Sequence, residues 1–368
     1  MSLAEVAARR LRTQRLAGEP FARARDTVGW LTAVQAQDWA GAKWAIGLRT
    51  EGATEADLDG LLDEGAILRT HVLRPTWHVV APEDVRWLQE LTAPRVKLAL
   101  THLDRRSGVD GELIARAEAA MAQALSEGRH LTRAELGDAL GRAGIAARGW
   151  LLGLLVMHAE LDGLLVSGAR RGRQMTYALL EERAPRARRL DRDAALAELT
   201  RRYFTSHGPA QARDFAWWSG LTLADVRRGL ELAGAALEAE VVEGRTHWQA
   251  PGVPPPAETP TPIVHLLPNY DEYVVAYRDR GAVLEPGREL AAAPFPLGSL
   301  LAHTLLVDGL VRGAWKRRLE ARRVVVELGP VDRLDARAAA ALHAAAGRLA
   351  EFLGLPVVLS GLPGEAQG

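Results

Sequence analysis

Three times along the chain, a threonine with a carboxylate three residues later opens a run of apolar residues at helical spacing. The segments are Thr54-Glu55-Ala56-Asp57-Leu58, Thr132-Arg133-Ala134-Glu135-Leu136 and Thr222-Leu223-Ala224-Asp225-Val226. In this pattern the hydroxyl and the acid satisfy backbone donors reciprocally, the usual start of a capped helix. The residues after each start are more specific. After the Thr132 helix comes a break at Gly141–Gly144 and a second apolar helix, Trp150–Leu161. Asp162-Gly163 then marks a turn, followed by strands Leu164–Gly168 and Gln174–Leu179 around the basic tip Arg170-Arg171-Gly172-Arg173. Helix, turn, helix and basic hairpin is the order of a winged helix.

The flanking regions repeat the order more weakly. On the N-terminal side, Ala24–Val34 reads as a helix and Asp38–Ala42 as a turn. The Thr54 helix comes next, with strands near Ile67–Thr70 and Thr76–Val80. On the C-terminal side, His207-Gly208-Pro209-Ala210 starts a helix through Trp217-Trp218, and the Thr222 helix leads to strands Leu237–Val242 and Thr246–Ala250. The expected organisation is three tandem winged-helix domains, 1–95, 96–190 and 191–256, ending in a Pro-rich linker from Pro251 to Pro262. The last domain, 257–368, changes pattern. It offers strands at Ile263–Leu267, Thr304–Val307, Leu310–Trp315, Val324–Leu328 and Pro356–Leu359, an Asp308-Gly309 hairpin turn and an Ala-rich helix, Asp335–Leu353. The fold class is therefore α+β, mainly helical, with a β-rich, barrel-like C-terminal domain.

Length and composition narrow the function. At 368 residues the chain holds several modules, and with no cysteine it has no disulfide framework, thiolate metal site or cysteine nucleophile. No stretch has the roughly 20 apolar residues of a membrane span, and the first turns carry charge, so a cytoplasmic protein is expected. Lys+Arg and Asp+Glu both total 46, so only the distribution of charge is informative. Arg170, Arg171 and Arg173 cluster on the second hairpin. Arg312, Lys316, Arg317, Arg318, Arg322 and Arg323 cluster on and after the hairpin at Asp308-Gly309. Basic hairpin tips suit a phosphate backbone, and equally a solvated surface. The stretch from Arg183 to Arg192, broken by Pro185, reads as a connector.

Familiar catalytic signatures are missing. No His-Glu-x-x-His, phosphate-binding loop, dinucleotide fingerprint or Gly-x-Ser-x-Gly elbow occurs, so no metal or cofactor is expected. The chain has three lysines, Lys43, Lys97 and Lys316, a thin supply for amine nucleophiles. What remains is Gln35-Ala36-Gln37 beside Trp39. Residues i and i+2 diverge on a helix, so two amides serving one site require the helix to break at Ala36 or just before. Otherwise one glutamine is a solvated helix-end residue and the other a capping donor. Arg74-Pro75-Thr76-Trp77-His78 places Thr76 and His78 at strand spacing. In Leu266-Leu267-Pro268-Asn269-Tyr270-Asp271-Glu272-Tyr273, the acids either form an acid–base pair or belong to an aromatic-rich turn in which they cap backbone or bind Arg278 and Arg280.

These segments, with His207-Gly208-Pro209 and Trp217-Trp218-Ser219-Gly220, resemble the winged-helix family of bacterial DNA glycosylases that includes the AlkZ and YcaQ branches. The resemblance spans nearly the whole chain. It implies three winged helices in a C-shaped molecule, a C-terminal β-rich domain, and hydrolysis of the N-glycosidic bond of alkylated purines in double-stranded DNA. The family's motif, glutamine–small apolar–glutamine or aspartate, falls on Gln35 and Gln37, and the second glutamine is the AlkZ form. That branch is associated with bulky N7 adducts and interstrand crosslinks. The expected roles are Gln35 and Gln37 as catalytic amides, and Arg74, Thr76, His78, Trp39, Arg170, Arg171, Arg173, Arg312, Lys316 and Arg317 as substrate or DNA contacts. A monomer is expected, since three wings in one chain remove the need for a dimer. The alternatives are a non-catalytic winged-helix regulator and a drug-sequestering resistance protein.

Overall fold

The computed structural model describes residues 1–252, 262–284, 303–329 and 334–361. An N-terminal helix, α1 (Leu3–Thr13), begins at a Ser2–Glu5 capping box. One order of elements then occurs three times. In the first repeat it is α2 (Ala24–Leu31), β1 (Ala33–Gln35), α3 (Trp39–Gly47), α4 (Glu55–Glu64), β2 (Leu68–His71) and β3 (Trp77–Val80), with strand order β1-β3-β2. A long helix, α5 (Val85–Ser107), leads to α6 (Gly111–Leu125), β4 (Leu131–Thr132), α7 (Arg133–Arg142), α8 (Gly149–Leu161), β5 (Leu165–Ser167) and β6 (Thr176–Leu179). Its strand order is β4-β6-β5. After the short α9 (Leu180–Arg183) come α10 (Arg192–His207), α11 (Ala212–Ser219), α12 (Leu223–Ala233), β7 (Glu238–Val242) and β8 (Arg245–Gln249). Here the first strand is reduced to one bridge, Ala210 to Trp248. The three Thr-x-x-acid boxes cap α4, α7 and α12.

The remaining elements are β9 (Val264–Leu267), α13 (Glu272–Val275), β10 (His303–Val307), β11 (Leu310–Leu319), β12 (Val324–Leu328), α14 (Ala336–Leu353) and β13 (Val357–Ser360). The five strands form a curled half-barrel sheet in the order β13-β12-β11-β10-β9, antiparallel except for the β12–β13 pair that α14 connects. The molecule is thus α+β and mainly helical. The Pro-rich segment lies largely outside the described residues. The expected junction at 95/96 falls inside α5.

Three local expectations change. The first helix ends at Leu31 rather than Val34, because Ala33–Gln35 pairs with Val80–His78 and buries Val34 and Val79. Thr32 turns the chain at a φ of 71°. Asp38–Ala42 is a helix start rather than a turn: Asp38 accepts the Ala40 N–H and caps α3. Gly41 has no room for a side chain, since a Cβ there would sit 2.6 Å from Asn269 Oδ1. His207 ends α10 instead of opening α11, which starts at Ala212.

The β1–β3 sheet is buried on both faces. Val34, Ala36 and Val79 pack with Val264, Leu305 and α14 in one core. Ala33, Leu68 and Val80 pack with Tyr203, Phe215 and Trp218 of the third repeat in another. The second repeat holds its own core and joins the first through polar contacts: His71 to Glu160 at 2.5 Å, and Arg170 to Asp59 and Asp63.

Candidate active site

Gln35 is the last residue of β1, and Ala36 continues the ladder by donating its N–H to the Trp77 carbonyl at 2.7 Å. In this extended run, residues two apart project to the same side of the backbone. The break that two cooperating amides require is therefore present, four residues earlier than expected. Gln35 is buried, 8% exposed, whereas Gln37 is exposed.

Gln35 is held from two directions. Its side-chain oxygen accepts from Arg74 Nη2 at 2.7 Å, and its backbone N–H donates to Glu272 Oε1 at 2.8 Å. Glu272 is fully buried, and its other oxygen accepts the Trp218 indole N–H at 2.8 Å. His207 Nε2 lies 3.6 Å from that oxygen, beyond hydrogen-bond reach. The Gln37 side-chain oxygen takes the backbone N–H of Trp77 at 3.4 Å, at the open end of β3. Arg74 also reaches the Trp217 carbonyl through Nη1 at 3.4 Å. This contact needs Gly220: its φ is +71°, and a Cβ there would collide with the Leu73 carbonyl oxygen.

The Asp271-Glu272 pair is thus a brace. Asp271 caps α13 through the Tyr273 N–H and holds the buried Arg49 guanidinium with both oxygens, at 2.8 and 2.9 Å. The acids do cap backbone, but their arginine is Arg49 rather than Arg278 or Arg280. The sequence signal was the motif itself; Glu272's hydrogen bond to a strand 237 residues earlier had none.

His78 pairs with Gln35 across the strands and is fully buried. Its Nδ1–H donates to the Thr76 carbonyl at 3.0 Å. Burial first, then the Arg74 charge, hold its pKa well below the ordinary histidine value, so it is neutral. His78 Nε2 and Thr76 Oγ1 are buried without partners among the described residues. His78 thus lies beneath the surface, and the Arg170 guanidinium is engaged by Asp59 and Asp63 and fixes the second hairpin to α4. Trp39 spends its indole N–H on Asp59 at 2.9 Å.

Arg171 is exposed and pairs with Glu135, and Arg173 is exposed on the same hairpin. Arg312, Lys316 and Arg317 lie on β11, with Arg312 the extra residue where the β10–β11 register shifts. Arg317 neighbours His303, whose pKa burial and that charge press down to about 4. His303 accepts the Asn269 N–H at 2.8 Å, and Asn269 abuts Gly41, so this part of β11 flanks the start of α3 beyond Gln37.

Chemically, the site presents amides rather than a charged acid–base pair. Lys43 is buried between Glu55 and Asp59, at 3.0 and 2.9 Å, which leaves it unsuited to attack. Among the described residues no three His, Cys, Asp or Glu side chains gather as metal ligands. Likewise, no helix there is long and apolar enough to cross a membrane.

Comparison with known proteins agrees with this architecture. The interstrand DNA cross-link repair glycosylase of Streptomyces sahachiroi is 24% identical over 367 aligned residues, covering 96% of this chain and 98% of that protein. The solved structure of Streptomyces sahachiroi DNA glycosylase AlkZ superposes with a TM-score of 0.79 at 23% identity, over 98% of this chain and 99% of the other. The family described as DNA glycosylase AlkZ-like matches residues 28–352. A match of that extent places the chain in the AlkZ-like DNA glycosylase family.

Proposed function

We propose that this enzyme is a monofunctional glycosylase that hydrolyses the N-glycosidic bond of cationic N7-alkylated purines in double-stranded DNA. In this reading the three repeats are winged-helix units with junctions near 95, 190 and 256, curved into a C beside the C-terminal domain and acting as a monomer. The observation that carries the proposal is the pinned Gln35 amide beside the exposed Gln37. An amide is a weak base, but an N7-alkylated purine is already a cationic leaving group. The remaining tasks are to hold a water near C1′ and to stabilise the positive charge that develops there. An amide oxygen has two lone pairs, and Arg74 takes one from Gln35. The second, with the lone pair that the Trp77 N–H leaves on the Gln37 oxygen, orients a water and presents dipoles to the sugar.

Glu272, Trp218 and Arg74 supply preorganisation by fixing the end of β1. Of the lysines, Lys43 and Lys97 are ion-paired and Lys316 is engaged, which favours hydrolysis over a lyase reaction. The exposure of Gln37 suits a lesion read in place, and full base flipping is hard for bulky or crosslinked bases. Bulky N7 adducts, and crosslinks of the kind named for the Streptomyces relative, are therefore the proposed substrates. The test is a single-turnover assay on duplex DNA with one N7-methylguanine, followed by alkali. Strand breaks are expected with the native enzyme and absent with Gln35→Ala/Gln37→Ala. Undiminished breaks with the double variant would overturn the proposal.

A further inference from the structure

A second feature lies at the far end of α11 from the Gly220–Leu73 contact. There Arg213, Arg245, Arg278 and Arg280 surround a cleft whose acids, among the described residues, are Asp214 and Asp279. Both acids are already engaged. Asp214 is fully buried and accepts the backbone N–H groups of Gln211, Arg278 and Asp279. Asp279 pairs with Arg245 and accepts from Gln211. Arg213 and Arg278 are exposed and have no ion pair among the described residues. Arg280 is partly buried, with its Nε on the Val274 carbonyl, and burial lowers its pKa. Asp214 also faces the buried Arg10 guanidinium at 3.8 Å, so the two committed carboxylates leave the four arginines of the cleft largely uncompensated. A concave site of that charge favours an anion. The helix N-terminus is already satisfied by the Gln211–Asp214 capping box, so the attraction comes from the guanidiniums.

The cleft also lies on a continuous path from the amides. Arg213 and Trp217 stand four residues apart on the exposed side of α11. The Trp217 indole donates to the Val275 carbonyl at 3.0 Å, three residues before Arg278, and its own carbonyl meets Arg74, which holds Gln35. The Arg213–Trp217 step covers ~6 Å along the helix axis, and the Arg74 side chain bridges the rest of the way to Gln35.

We propose that this cleft binds a backbone phosphate of the DNA at a fixed offset from the base presented to Gln35 and Gln37. The inference rests on the proposed glycosylase reading and adds a fixed phosphate register to it. The test uses the full chain carrying Gln35→Ala/Gln37→Ala, so that no turnover occurs, and duplexes with one N7-methylguanine. Neutral methylphosphonate linkages are placed one at a time on each strand. One linkage position on one strand, at a fixed offset from the lesion, should weaken binding about tenfold, and should have no further effect once Arg213→Ala/Arg278→Ala is added. That added change should flatten the salt dependence by about 0.9 unit of slope, as expected for one phosphate, whereas Arg213→Lys/Arg278→Lys should largely restore it.

Equal methylphosphonate effects with and without the arginines would overturn the proposal. So would an unchanged salt slope with a native thermal melt. A third arm titrates inorganic phosphate without DNA. Submillimolar binding lost in the arginine variant, with DNA binding intact, would show a small-anion site and refute the DNA assignment. The native enzyme, assayed separately for excision, keeps the two readings distinct. Interference without excision would refute the glycosylase mechanism and leave the phosphate site standing; excision without interference would do the reverse.

Discussion

Glu272→Gln is the most direct probe of the brace behind Gln35. The carboxylate accepts two buried donors, the Gln35 backbone N–H and the Trp218 indole, both at 2.8 Å. Glutamine keeps one oxygen and turns the other into an NH2 group, so one of those donors faces a donor. Converting a charge-assisted bond to a neutral one costs about 1 kcal/mol, and a buried unsatisfied donor adds about 1–3 kcal/mol. The expected loss in folding stability is about 2–4 kcal/mol, measured by urea unfolding. The activity effect is the more diagnostic. If Gln35 faces the new NH2, the end of β1 moves, and ~1 Å of misplacement at a reacting centre costs on the order of a hundredfold. Single-turnover excision of N7-methylguanine should fall ten- to a hundredfold, with duplex affinity changing less than about twofold. Trp218→Phe is the companion: it removes a donor without creating a clash, and its rate should stay within about threefold of native. A Glu272→Gln protein with native urea midpoint and native rate would refute the brace.

Three further outcomes can be checked. The excision rate should be nearly flat from pH 6 to 9, because the amides do not titrate and His78 stays neutral across that window; an inflection near pH 6.5, lost in His78→Ala, would contradict the amide mechanism. Stability should fall as pH drops from about 6.5 to 4. Burial presses His265 down to about 4, so the unfolded chain binds a proton that the folded chain refuses. That single histidine contributes up to about 3 kcal/mol, and His265→Gln should flatten the dependence of the urea midpoint on pH. Gly220→Ala should destabilise by more than about 1 kcal/mol and slow excision, since its φ of +71° and the Leu73 carbonyl leave no place for a methyl group. A thermal melt and the alkali assay read both effects.

Local signals carried much of the architecture. The Thr-x-x-acid boxes at Thr54, Thr132 and Thr222 cap helices because the chemistry is contained within four residues. The Asp308-Gly309 turn joins β10 and β11 for the same reason, and Val324–Leu328 is a strand to the residue. Long-range pairing was hidden. Ala33–Gln35 has no strong strand preference and becomes β1 only because β3 offers a ladder. Asp38–Ala42 has turn composition, yet its aspartate caps and its glycine admits Asn269. The glutamine spacing was legible as a candidate site, whereas the partners that fix it were not. A sequence shows that Arg170 is basic, but not that Asp59 and Asp63 neutralise it across the first two repeats.

The strand that carries Gln35 is closed in by residues from the distant end of the polypeptide, and this sets an order in time. Gln35 and its Glu272 anchor are 237 residues apart. At translation rates of about 5–20 residues per second, a ribosome delivers the anchor roughly 12–50 seconds after the glutamine. During that interval β1 has neither its buried acceptor nor the Val264 and Leu305 side chains that cover one face. An emerging chain therefore carries Gln35 without its buried anchor, and on the proposed two-amide reading competence for cleavage arrives late in synthesis, when the C-terminal sheet docks.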